Sequence, residues 1–199
     1  MKKIIAALSC FVVGSAFAQT SGGPTHMFEF NADSVLGGLV SLDKSKSRGQ
    51  SADNDVQFNF NLNYAYSLPA MPELQLGGRV NYNKGTEGGR GDFEDYGLEV
   101  GAIYNFNPGM NALDLMNSTY VSLYLGYGWN NNYTSPRSKD EVRSATVAVG
   151  RRFALTPIGL NNVVWSPEIA LENLNSTTGG QLEYSQSIQF RVLQFSVFF

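Results

Sequence analysis

Thirteen consecutive residues, Val56 to Leu68, alternate in character without a break. Val56, Phe58, Phe60, Leu62, Tyr64, Tyr66 and Leu68 are apolar or aromatic, and Gln57, Asn59, Asn61, Asn63, Ala65 and Ser67 are polar or small. A period of two places alternate side chains on opposite faces of a strand. The length narrows the choice. A strand in a water-soluble domain usually runs about five or six residues, whereas a tilted strand that crosses a bilayer needs about nine to eleven. An unbroken apolar face opposite an amide-rich one suits lipid outside and a polar interior.

The pattern recurs along the chain. Leu74, Leu76, Val80 and Tyr82 oppose Gln75, Arg79, Asn81 and Asn83; Tyr96, Leu98, Val100, Tyr104 and Phe106 oppose Gly97, Glu99, Gly101 and Asn105. Val121, Leu123, Leu125, Tyr127 and Trp129 oppose Tyr120, Ser122, Tyr124, Gly126 and Gly128, and Ala145, Val147, Val149, Phe153 and Leu155 oppose Ser144, Thr146, Gly150 and Arg152. Trp165, Ile169 and Leu171 face away from Ser166, Glu168 and Glu172. A less regular first strand, Met27 to Leu42, and a last one near Leu182 to Phe199 bring the expected count to eight. The fold expected is all-β: an eight-stranded antiparallel up-and-down transmembrane β-barrel with a polar, charge-plugged lumen.

The amino terminus reads as a secretory signal. Lys2 and Lys3 precede the short apolar run Ile4 to Val13, and Ala16-Phe17-Ala18 is a small-x-small cleavage site. The division expected is a signal peptide at 1–18, an N-terminal periplasmic segment at 19–25 and the barrel at 26–199. The single cysteine, Cys10, then leaves with the signal, and no disulfide remains. Mean hydropathy is −0.17, but alternation hides a lipid-facing surface from such averages. The pI of about 5.1 argues against nucleic-acid binding, which needs a basic face. Connections at 69–73, 107–118 and 156–162 contain prolines and few charges, while those at 43–54, 84–95, 131–141 and 175–181 are polar. An even strand count then puts both termini and the first set on the periplasmic side. Tyr64, Tyr66, Tyr104, Phe106, Phe153 and Trp165 would form the inner aromatic belt, and Tyr82, Tyr96, Tyr127 and Trp129 the outer one. Arg151 falls on the lipid face, near the inner end of its strand, where a long side chain snorkels at modest cost.

With this architecture, the stretch Leu125-Gly126-Tyr127-Gly128-Trp129 and the terminal series Leu193, Phe195, Val197 and Phe199, the chain resembles the small eight-stranded outer-membrane barrels typified by the OmpA membrane domain and the OmpX/Ail group. The resemblance covers nearly the whole chain after the signal. It implies that the terminal series is an assembly signal read by the barrel-assembly machinery. It also implies roles in envelope integrity, adhesion or host interaction in a Gram-negative-type envelope.

The inward faces carry Glu29, Asp33, Arg79, Glu99, Arg152, Glu168, Glu172 and Arg191. If one hairpin turns about Gly89, Arg79 lies opposite Glu99; if another turns about Leu160, Arg152 lies opposite Glu168. Opposite charges across strands attract, and a buried charge without a partner is strongly destabilising. The set is therefore expected to form a salt-bridge network in a lumen just wide enough for side chains, and the alternative is a gated pore. In the last strand, continuing the Phe199 phase upward would put Gln189 and Arg191 in lipid, so a β-bulge near Val192-Leu193 is expected.

Other constellations read as ordinary surface or structure. Glu168 and Glu172 lie roughly 13 Å apart along a strand, too far for a glycosidase pair. The only histidine, His26, sits at the inner rim, away from the outer leaflet where a lipid-modifying enzyme would work. No set of metal ligands is evident, and no cofactor is expected. Gly85 to Asp92 lacks the ending of a phosphate loop; its Arg90-Gly91-Asp92 spells an adhesion tripeptide. Lys44, Lys46 and Arg48 cluster in the first outer connection, Asp92, Glu94 and Asp95 in the second, and Asp140 and Glu141 in the third. The basic trio is a candidate contact for lipopolysaccharide phosphates. The function expected is a non-enzymatic, monomeric envelope or surface-interaction barrel whose partners are outer-membrane lipids and lipopolysaccharide. A small pore is the alternative, and an outer-leaflet lipid enzyme is less favoured.

Overall fold

The computed structural model describes residues 25–31, 56–87, 91–107, 113–132, 138–178 and 181–199. The expected signal peptide at 1–18, Asp33, the trio Lys44, Lys46 and Arg48, and Arg90 of the Arg-Gly-Asp tripeptide lie outside the described residues. Eleven strands form one sheet: β1 (His26–Asn31), β2 (Val56–Leu68), β3 (Met71–Glu87), β4 (Gly91–Phe106), β5 (Thr119–Asn132), β6 (Ser138–Arg151), β7 (Phe153–Ala154), β8 (Val163–Trp165), β9 (Glu168–Thr178), β10 (Gln181–Arg191) and β11 (Gln194–Phe198).

All pairings are antiparallel, and they return on themselves. β1 pairs with β2 on one side and β11 on the other. β11 pairs with β8, which runs through Ser166-Pro167 into β9, the partner of β6. Register partners followed from Phe28 pass through Tyr64, Gly78, Val100, Leu125, Ala145 and Asn173 to Gln186. They begin near the terminal end of β1 and finish well up β10, the stagger that a tilted, closed sheet requires.

The sequence predicts eight continuous strands; the described residues form eleven because three stretches are interrupted. Pro167 has no N–H to offer the ladder. The Arg151 N–H donates to Pro167 O at 3.1 Å with no bond returned, while the Arg152 N–H keeps the β5 register by donating to Ser118 O at 2.8 Å; the missing bond separates β6 from β7 and β8 from β9. The third break lies at Val192-Leu193. Arg191 pairs with Glu168 above it and Phe195 with Trp165 below it. Four steps on one strand therefore face three on the other, which is a β-bulge of one residue. Above it Arg191 turns inward; below it Gln194, Ser196 and Phe198 are buried while Leu193, Phe195, Val197 and Phe199 face outward.

A second correction concerns the polar connections. Residues 84–87 and 91–95 are strand, as are 131–132, 138–141 and 175–178. The hairpins carry on past the apolar band because each strand still satisfies its neighbour's backbone there. Only the apolar face stops, so the alternation that reveals a strand in lipid fades.

The outward face is apolar and solvent-accessible around the ring, with Val100 69%, Leu125 55%, Ile169 54% and Phe190 69% exposed. Soluble monomers rarely expose an apolar surface of this extent. Aromatic side chains flank it at both ends. His26, Phe28, Tyr64 and Phe199 stack at the terminal end, with ring centroids 5.2–5.5 Å apart for His26–Phe199, Phe28–Phe199 and Phe28–Tyr64. Tyr96, Tyr127 and Trp129 meet at the hairpin end, at 5.3 and 6.2 Å.

Candidate functional site

The interior is the place where chemistry-bearing side chains converge. Among the described residues the buried charged side chains are Glu29, Glu99, Glu168, Arg79, Arg152 and Arg191, three of each sign. β3 and β4 set Arg79 opposite Glu99, with Nη1 and Oε2 3.2 Å apart; Ser144 from β6 donates to the other carboxylate oxygen at 2.9 Å. β9 and β10 set Arg191 opposite Glu168, and this pair closes to 2.8 Å. Arg191 also donates to Gln189, which in turn donates to Glu172 at 2.6 Å.

The expected pair of Arg152 with Glu168 does not form. The β6–β9 hairpin is centred on Gly159, not Leu160: Gly150 and Glu168, each nine residues from Gly159, are partners. Gly159 ends a short 3-10 turn, Thr156–Ile158, with φ of 87°, a left-handed conformation that glycine adopts without penalty. A centre displaced by one residue moves each partner by two, so Glu168 meets Gly150 and is free to take Arg191.

Arg152 is instead fully buried, at 0% exposure, in a neutral cage. Its Nη1 donates to Asn105 and Ser118, and Nη2 donates to Gln75 Oε1 at 3.2 Å and to Met27 Sδ at 3.1 Å. Its guanidinium lies 4.7 Å from the Tyr120 ring centroid and 5.1 Å from that of Phe198, within cation–π range. Glu29 is likewise held by neutral donors, Asn63 at 3.2 Å and Ser196 at 3.0 Å. Asp33, the other expected member of the network, lies outside the described residues.

Two tyrosines bridge the lumen, and sequence reasoning missed their part. Tyr124 reaches from β5 to donate to Asn63 on β2 at 2.9 Å, and the Arg79 guanidinium sits 4.1 Å above its ring. Tyr120 donates to Glu168 at 2.9 Å. Each ring has space only because its neighbour is glycine. A Cβ on Gly101 would come within 2.7 Å of the Tyr124 ring, and one on Gly150 within 2.7 Å of Tyr120 Cε1. With Met27, Ile103, Val164, Phe198 and Leu115 these tyrosines form a buried cluster. Leu115 comes from a 3-10 turn, Leu115–Asn117, in the connection before β5. The inward face is therefore charged and polar in its middle and apolar-aromatic toward the terminal end.

Toward the hairpin end the packing opens into a cavity of about 460 Å³, floored by Arg79, Glu99, Arg191 and Glu172 and walled by Asn61, Asn81 and Asn130. Among the described residues the lumen is thus a polar cup over a solid base. His26 lies outside the cup at the terminal rim, with Nδ1 2.8 Å from the Tyr64 hydroxyl. Glu168 and Glu172 are drawn into separate contacts, with Arg191 and Gln189.

No family model and no curated protein matches the chain. Among solved structures it is similar to Neisserial surface protein A (NspA) at 16% identity and a TM-score of 0.49, over 88% of this chain and 95% of that one. It is also similar to the outer membrane protein Ail of Yersinia pestis, at 16% identity and a TM-score of 0.44, over 89% of this chain and 99% of that one. The β domain of the Bordetella autotransporter BrkA matches at 14% identity and a TM-score of 0.34, over 81% of this chain and 63% of that one. At such identities the architecture stands on the strand pairing itself.

Proposed function

We propose that this chain is an integral outer-membrane β-barrel, non-enzymatic and monomeric, with a structural or surface-interaction role in the envelope. The observation that carries the reading is the pairing of an apolar, girdled outer face with a lumen packed solid at one end. The outer face fits a bilayer, and only closed barrels cross lipid with strands. Tyr120, Tyr124 and Arg152, each exposed by 1% or less, support a plug. A small pore is the second reading. The cup favours it, since half of a passage is already open, but conduction would require the caged Arg152 and both tyrosines to move together.

In this reading both termini are periplasmic, the hairpin end faces outward, and Lys44, Lys46 and Arg48 contact lipopolysaccharide phosphates. The terminal Leu193, Phe195, Val197 and Phe199 serve the barrel-assembly machinery. A deletion strain, assayed for detergent sensitivity and for localisation of the restored protein, tests the role. Sensitivity rescued by the wild-type chain in the outer membrane is the expected result. Recovery of the protein in the soluble fraction would refute it, and lipid A mass spectra that change with the protein would favour an enzyme.

A further inference from the structure

Arg151 is a cation set into the aromatic girdle at the terminal end of the outward face, and neither the plug nor the cup uses it. β6 carries it opposite Thr119 on β5, and Thr119 in turn faces Phe106 on β4. The next outward residue along the chain, Phe153, is the partner of Trp165. The outward neighbours are therefore all uncharged. At the hairpin end the pattern differs: Lys84 lies opposite Glu94, and Arg143 has Glu141 two residues along its own row.

The Arg151 side chain is exposed and is held from two sides. Nη1 donates to Thr119 Oγ1 at 3.2 Å, and the guanidinium lies 5.8 Å from the Phe153 ring centroid. The Arg151 backbone N–H is fixed on Pro167 O at 3.1 Å. Among the described residues the guanidinium makes no other hydrogen bond, so most of its five donors point outward at headgroup depth. A guanidinium fork matches two oxygens of a phosphate and is weakly hydrated for a cation. The flanking Phe106 and Phe153 offer apolar surface to the first part of an acyl chain.

We propose that Arg151, braced by Thr119 and Phe153, is a binding site for the phosphate of an anionic phospholipid in the leaflet at the terminal end of the barrel. The inference rests on the membrane-barrel reading above. The test is retention of lipid. Wild type and Arg151→Gln are refolded into bilayers of equal phosphatidylglycerol and phosphatidylcholine and released in mild detergent. Native mass spectrometry then counts the lipids that stay bound. Wild type is expected to retain phosphatidylglycerol over phosphatidylcholine. Arg151→Gln should lower that preference about fivefold, the factor that one basic side chain confers at an anionic surface, and Arg143→Gln should keep the wild-type ratio. No preference in wild type, or the same preference in Arg151→Gln, overturns the site. Insertion is read separately from the heat-dependent shift in electrophoretic mobility. Failure to insert undoes the barrel reading and the site with it, whereas insertion without preference undoes the site alone.

Discussion

Replacing Glu99 by Gln removes one charge from the interior and little else. Arg79 is 3% exposed and Glu99 5%, and their 3.2 Å contact is the direct neutralisation of that guanidinium. Glutamine has the same shape and keeps an oxygen for Ser144, which donates to Glu99 at 2.9 Å. The change therefore isolates the charge. Breaking a buried pair from one side costs about 3–5 kcal/mol, because the survivor is left desolvated without its counter-ion. The cup lies directly over this pair and lets water approach one side, which places the expected loss at the low end, about 3 kcal/mol. That is roughly a hundredfold in the ratio of folded to unfolded protein. The assay is a urea titration of protein refolded into vesicles, followed by fluorescence of Trp129 and Trp165. The double variant Arg79→Met/Glu99→Gln, with no net charge to bury, should recover to within about 1 kcal/mol of wild type. A single variant as stable as wild type, or a double variant weaker than the single, would show that the pair is not a dehydrated counter-charge.

Gly150→Ala drives a methyl group into Tyr120, which is 1% exposed and has no room to withdraw; a loss of about 1–3 kcal/mol is expected in the same titration. Deleting Val192 removes the extra residue of the bulge, so every register then puts either Arg191 or the Gln194 and Ser196 pair on the apolar face. The yield of heat-modifiable, folded barrel should collapse, and a normal yield would mean that the bulge does not set the phase. Tyr124→Phe loses the 2.9 Å hydrogen bond to Asn63 and leaves that amide oxygen short of a donor. A loss of about 1–2 kcal/mol in stability is expected, with the fold retained.

The strand faces were legible because a sheet with one apolar and one polar face enforces a strict period of two, and Val56 to Leu68 is strand throughout. The bulge was legible for a related reason. Arg191 and Phe199 demand opposite phases in one strand, and only an inserted residue reconciles them. The partner of Glu168 was not legible, because it depends on whether the hairpin turns at Gly159 or Leu160, and single-residue turn geometry is beyond hydrophobic patterning. The strand character of 84–87 and 91–95 is not legible, because backbone pairing without an apolar face leaves no trace in alternation. Tyr120 and Tyr124 were placed on the inward face, but their fit against Gly150 and Gly101 depends on which strands lie side by side. The cage around Arg152 is drawn from Met27, Gln75, Asn105 and Ser118, which are dispersed in sequence and meet only in the closed ring.

Single-channel recording from the purified chain in planar bilayers tests the central claim, that the lumen is a cup on a solid base. With Tyr120, Tyr124 and Arg152 packed across the terminal half, insertion should produce no stable ion-conducting state, in wild type or in Tyr124→Phe. Reproducible conductance steps that change in size or lifetime with Glu99→Gln would contradict it and make the lumen a passage.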